Sequence, residues 1–204
     1  MATEPLQQKP GQQDDTHNVG VILLAAGFSR RFGSIKLNAP LPNGNTLAAQ
    51  TLARIQAATD QILVVTRPEL LTSLLDAGAP QNMTVLCPDA VQGMGHTLAC
   101  GMRHLPPHWD AVLVCLADMP FVASSTYTQL LNALHKDTIV VPEYQGKRGN
   151  PVGFGSQWFA MLAQATGDSG GREVMKAHPE CVVKVAVNDP AIHVDVDVPG
   201  DLQR

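Results

Sequence analysis

The constraint that shapes this chain is a repeated unit: a short, uninterrupted apolar run, a polar turn, then an amphipathic stretch of helical period. Val19–Ala25 is the first such run. It lacks the every-second-residue polarity of a half-exposed strand, so it is predicted as a strand covered on both faces. Similar runs recur at 61–65, 83–86, 111–116 and 138–141. Between them, 46–58 gathers Leu47, Thr51, Leu52, Ile55 and Ala58 on one side, 69–77 carries Leu70, Leu71, Leu74 and Leu75, and 124–134 carries Leu130, Leu131 and Leu134. The alternation predicts an α/β fold, a Rossmann-like three-layer αβα arrangement around a mainly parallel sheet. Beyond 144 the pattern loosens. A polar, glycine-rich excursion at 144–151 reads as a hairpin or a site loop. A short strand at 152–154, a helix through Trp158 and Leu162, a glycine-rich turn at 167–171, a helix at 172–177 and a strand at 182–187 follow. A last strand over 193–198 runs into a final helical turn. With no internal repeat or linker, 19–204 reads as one domain long enough to bury a full core. Residues 1–18, rich in Gln, Pro and Asp, read as a disordered tail.

Charge narrows the range of partners. Acidic residues outnumber basic ones 18 to 14, for a net charge of −4, which argues against a polycation that coats nucleic acid. The four cysteines, Cys87, Cys100, Cys115 and Cys181, form no Cys-x-x-Cys pair. They read as reduced thiols rather than a disulfide framework or a zinc site. No apolar stretch has the length of a membrane span, and no signal-peptide pattern is present. The expected setting is cytoplasmic, without a membrane partner.

In sheets of this kind ligands bind beyond the carboxyl ends of the strands, and the chemistry-bearing residues gather there. After the first run comes Ala25-Ala26-Gly27-Phe28-Ser29-Arg30-Arg31-Phe32-Gly33, with Lys36 just beyond. A glycine at a strand exit lets backbone N–H groups approach a phosphate, and the bases add charge. The spacing is neither a Walker loop nor Gly-x-Gly-x-x-Gly, so an ordinary glycine turn with solvated bases fits it equally well. Asp118, in Leu116-Ala117-Asp118-Met119-Pro120, sits where a carboxylate can hold Mg²⁺ against phosphates, and also where turn and cap aspartates are common. Asp195 and Asp197 face one side if the segment is extended. Gly93-Met94-Gly95-His96-Thr97 opens a helix whose N-terminus and Thr hydroxyl suit an anion or a sugar hydroxyl; His96 can be read as a substrate contact or as a surface side chain. Two glycine-rich turns, 146–151 and 167–172, carry Lys147, Arg148 and Arg172 and are fit to clamp an anionic second substrate.

In this order the motifs resemble the molybdenum-cofactor nucleotidyltransferase family, and within it the cytidylyltransferase branch. The resemblance covers 19–202: Leu-Ala-Ala-Gly-x-Ser-x-Arg-x-Gly from Leu24 to Gly33 with Lys36, Gly93-Met94, Leu-x-Asp-Met-Pro ending at Pro120, Arg148-Gly149-Asn150-Pro151-Val152, Gly-Asp-x-Gly-x-Arg from Gly167 to Arg172, and Asp195-x-Asp197. It implies a CTP site made by Leu24, Ala25, Ala26, Gly27, Ser29, Arg30, Lys36, Thr66, Gly93 and Thr97. Arg30, Lys36 and Asp118 would carry the chemistry. Asp118, with Asp195 and Asp197, would hold Mg²⁺, with Mn²⁺ as an alternative ion. Arg148, Asn150, Gly167, Asp168 and Arg172 would face the acceptor. The implied reaction joins CMP to the phosphate of molybdenum-loaded molybdopterin and releases pyrophosphate, and the product would pass to an apo-molybdoenzyme or its maturation chaperone. Cytidylyl members carry Ala-Ala-Gly where guanylyl relatives carry Ala-Gly-Gly, which makes Ala26 the base-selecting position. The chain departs from the pattern at Asn150 (usually His), at Val198 and Gly200, and at Cys87-Pro88-Asp89 (often Asn-Pro). A transferase acting on another phosphorylated acceptor such as a sugar phosphate, or using GTP, and a non-catalytic delivery module stand as alternatives.

Overall fold

The structure is a computed structural model and describes residues 18–29, 32–168 and 170–203. The tail expected at 1–18 lies, apart from Asn18, outside the described residues. The continuous apolar runs become strands β1 (Val19–Ala25), β2 (Ile62–Thr66), β3 (Thr84–Leu86), β4 (Ala111–Leu116) and β5 (Ile139–Tyr144). A two-residue β6 (Lys147–Arg148), β7 (Val152–Gly155) and β8 (Val182–Ala186) complete one eight-stranded sheet. Its order is β3-β2-β1-β4-β7-β5-β6, with β8 also paired to β5. The pairs β1–β2, β1–β4, β2–β3 and β5–β8 are parallel, and β7 runs antiparallel between β4 and β5. The glycine-rich excursion is a tight hairpin, Tyr144 opposite Lys147.

Alternate residues of β1 enter opposite cores, which explains its missing polar positions. Val21, Leu23 and Ala25 pack with Leu52 and Ile55 of α1 (Leu47–Gln56), with α2 (Pro68–Asp76) and with α4 (Ser124–Asn132). Ile22, Leu24 and Ala26 pack with Leu98 of α3 (Met94–Met102), Leu162 of α5 (Phe159–Leu162) and Val174 of α6 (Arg172–Ala177). Burying a Leu or Ile side chain contributes roughly 1.5–3 kcal/mol, so the two clusters fix the sheet between its helical layers. Cys87, Cys100 and Cys115 are buried, and all four cysteines are free thiols. Burial pushes the Cys115 thiol well up, and burial beside Cys87 pushes Cys100 to about 11. Such thiols are poor nucleophiles.

The end of the chain departs from its sequence pattern. The strand expected over 193–198 is absent. Pro190–His193 forms a 3₁₀ turn, 194–197 is irregular, and Pro199–Gln203 is a second 3₁₀ turn. The alternating Asp-Val-Asp pattern suits a strand, but the Val196 amide donates to the carbonyl of Asp118 (2.9 Å) instead of joining a ladder. Asp189 anchors the segment. Its buried carboxylate accepts from the Ala123 amide (2.9 Å) and the Thr126 hydroxyl (2.7 Å) at the start of α4, and from the Ala191 amide (3.0 Å). Ala123 has no side chain able to cap α4, so Asp189 caps it from a distance. Replacing Asp189 by Ala strands these donors and is expected to destabilise the fold by about 2–3 kcal/mol, roughly 4–12 °C in Tm for a chain of this size. Thermal melting followed by circular dichroism checks this, and an unchanged Tm would refute the cap.

Candidate active site

The pairing of β1 with β4 places Leu24 opposite Leu116 and ties the Ala117 amide to the Leu24 carbonyl (3.1 Å). The turns that follow the two strands therefore emerge side by side. From β1 the chain connects to β2 on one side, while β4 lies on the other, so this is the switch point of the sheet, where ligands lodge in folds of this class. The first turn exposes Gly27, where an added Cβ would meet nothing within 4 Å. Ser29 adopts φ +49°, and its hydroxyl accepts the Lys36 amide (3.2 Å), closing the loop. Arg30 lies outside the described residues. Thr66 is fully buried and donates to the Ala25 carbonyl (3.1 Å), so it braces the loop from behind and takes no part in the cavity wall.

Lys36 is 8% exposed, and its ammonium lies between two carboxylates: 2.8 Å from Asp118 Oδ2 and 3.4 Å from Asp197 Oδ1. A buried ammonium needs such partners, since desolvation alone would disfavour its charge. Asp118 is positioned through its neighbours: the Thr51 hydroxyl lies 3.0 Å from the Ala117 carbonyl, and the Val196 amide donates to Asp118's own carbonyl. The Asp197 and Val198 amides donate to Asp201, which shapes the turn that presents Asp197. Asp195 is exposed and is not drawn into this cluster with Lys36 and Asp118. Among the described residues no group of three or more His, Cys, Asp or Glu forms a metal cage. Asp118 Oδ1 is nonetheless buried with no hydrogen-bond donor among them. Mg²⁺ typically takes one or two protein carboxylates and completes its shell with water and substrate phosphates. The Asp118 and Asp197 oxygens fit that ion, whereas a dedicated protein cage they are not.

Two cavities open here. The first, about 380 Å³, is lined by Leu24 to Ser29, by Lys36 and Asp118, and by Gly93, Thr97 and Asp168. The second, about 290 Å³, is lined by Arg148, Asn150 and Arg172, and it shares Leu24, Met94 and Leu116 with the first. The residues expected to face nucleotide and acceptor thus fall into neighbouring chambers, with three differences. Thr66 lies behind the first chamber. Asp168 faces the first chamber rather than the second. Gly167 lines neither, and its carbonyl accepts the Gly95 amide (2.6 Å). The helix N-terminus expected to bind an anion is filled by the chain itself: Asp168 Oδ1 lies 3.4 Å from the Met94 amide. Gly93, at φ +119°, permits this approach, because a Cβ there would come within 2.5 Å of the Gly167 carbonyl. Sequence reading missed the ammonium bridge, the Thr51 brace and the Asp189 cap, because each joins residues far apart in the chain.

Comparison with known proteins agrees with this geometry. The family profile described as "MobA-like NTP transferase domain" matches residues 21–182. The purine catabolism protein PucB of Bacillus subtilis is 32% identical over 165 residues, spanning 76% of this chain and 80% of PucB. The crystal structure of Rv0371c from Mycobacterium tuberculosis superposes with a TM-score of 0.79 at 26% identity, over 90% of this chain and 94% of that one. A manganese complex of Rv0371c gives a TM-score of 0.69 at 23% identity, covering 92% and 94%. Molybdopterin-guanine dinucleotide biosynthesis protein A from Archaeoglobus fulgidus shares the fold, at 18% identity and a TM-score of 0.61 over 90% and 94%. By sequence and by fold, the chain belongs to the MobA-like NTP transferase domain family and is a nucleotidyltransferase.

Proposed function

We propose that the chain transfers CMP from CTP to the phosphate of molybdenum-loaded molybdopterin, releasing pyrophosphate. The observation that carries this reading is the pair of neighbouring chambers: one lined by the Gly27 turn, Lys36 and Asp118, the other rimmed by Arg148 and Arg172, with Leu24, Met94 and Leu116 common to both. Such a layout suits an acceptor phosphate oxygen attacking the α-phosphorus as the bond to the β-phosphate oxygen breaks. That chemistry asks for positioning and charge neutralisation more than for a strong base.

The triphosphate takes the part of the first chamber beside the Gly27 turn and Lys36, where backbone N–H groups and the ammonium can meet its oxygens. An ammonium has three donors. Two of Lys36's are directed at Asp118 and Asp197, which leaves the third for a phosphate oxygen. Asp118 and Asp197 are the residues that hold Mg²⁺ or Mn²⁺, and the bound ion supplies neutralisation of the phosphate charge. The manganese complex of Rv0371c supports a divalent ion in this fold. The base lies toward Ala26, Gly93 and Thr97. Ala26 is 2% exposed, and its methyl narrows the chamber beside the base. A difference of this size is worth about 1–3 kcal/mol, or 10–200-fold in discrimination. The acceptor takes the second chamber, where Arg148 and Arg172 pair with its phosphate and Asn150 offers a hydrogen bond. The molybdopterin-guanine dinucleotide relative supports a pterin acceptor.

A pyrophosphate-release screen of the four ribonucleotides with Mg²⁺ tests this reading, using molybdenum-loaded molybdopterin and sugar 1-phosphates as acceptors. CTP with the pterin is expected to be fastest, at least about tenfold over GTP. Equal rates with CTP and GTP would remove the base assignment, and turnover with a sugar phosphate alone would replace the acceptor. In the same assay Ala26→Gly is expected to lower the CTP/GTP ratio about tenfold. Asp118→Asn should cut kcat by roughly 100-fold or more in a protein that still melts cooperatively. Full activity in that variant would overturn the role given to Asp118.

A further inference from the structure

The divider between the two chambers is not one continuous element. Met94, at the start of α3, lines both chambers, while Asp168 lines the first and Gly170 and Arg172 line the second. The 166–168 segment is tied to α3 at three places: Gly95 amide to Gly167 carbonyl (2.6 Å), Asp168 Oδ1 to Met94 amide (3.4 Å), and Gly167 amide to His96 Nδ1 (3.3 Å). The last of these uses a side chain of α3. It also requires Nδ1 to be the unprotonated ring nitrogen, so the neutral imidazole carries its proton on Nε2. Gly95 completes the fit: a Cβ there would come within 2.5 Å of the Thr166 carbonyl.

We propose that His96 is a positioning residue that helps hold the Gly167–Asp168 turn against the start of α3, and through that bond helps set the walls of both chambers together. The consequence for substrates rests on the two-chamber reading above. Asp168 then keeps its carboxylate on the wall of the first chamber, and Arg172, just beyond, keeps its guanidinium on the rim of the second. His96 touches neither substrate. Its loss is felt as weaker binding of both, with the chemical step little changed.

Three variants of the full chain test this: His96→Ala, His96→Asn, whose amide oxygen stands near the place of Nδ1, and His96→Gln, whose oxygen reaches beyond it. Exchange of the Gly167 amide is measured with CTP affinity by calorimetry, and with kcat and KM for both substrates. His96→Ala is expected to speed Gly167 exchange and raise both KM values about three- to tenfold, with kcat changed less than about threefold. His96→Asn is expected to restore both, and His96→Gln to behave as His96→Ala. Unaltered Gly167 exchange in His96→Ala, or failure of rescue by His96→Asn, would overturn the proposal. So would a rise in one KM alone. Should His96→Ala not fold, the His96→Asn and His96→Gln pair gives the same contrast. If the wild type binds no CTP, the functional reading fails, while amide exchange still decides whether His96 holds the turn.

Discussion

Everything at the candidate site depends on β1 lying between two parallel neighbours. It pairs with β2 on one edge and β4 on the other, and both faces are buried. Parallel pairing brings carboxyl ends to the same rim, so Gly27 and Asp118 meet there without any direct bond between them. Lys36 then joins the two turns. Its ammonium offsets two carboxylates that would otherwise repel each other, one of them with a buried and undonated oxygen. Removing one partner of such a cluster is more disruptive than its net stabilisation suggests, because a buried charge is left alone.

The fold was legible where local pattern and tertiary demand agree. β1 and β4 match their apolar runs residue for residue, since burial on both faces leaves an unbroken signature. β2 and β3 begin one residue later than their runs. The segment 193–198 failed for a physical reason: its alternation satisfies a strand, but the backbone donor at its centre is spent on Asp118. Pattern reports which faces a residue can show, not whether a neighbouring strand is there to receive it.

Site residues were legible as types but less so as relationships. Lys36, Asp118 and Asp197 stood out in their motifs, yet their direct pairing spans 82 and 161 residues of sequence, beyond the reach of local spacing. Thr66 carried a polar group at a strand end, and the group turned inward to Ala25. Asp168 belonged to a motif expected to face the acceptor, yet it lines the chamber of Gly27 and Lys36 rather than that of Arg148 and Arg172. Asp189 left no local trace, because the helix it caps begins more than sixty residues earlier.

The long reach between Lys36 and Asp197 also orders events during synthesis. A chain emerging from its amino end can pair β1 with β4 and Lys36 with Asp118 well before residues 194–197 exist. The Val196 amide and the Asp197 carboxylate follow long after Asp118, when the α4 start that Asp189 caps is already made. Lys36 can therefore meet Asp118 before Asp197 has been made, and the second carboxylate joins the ammonium only once residue 197 has been added.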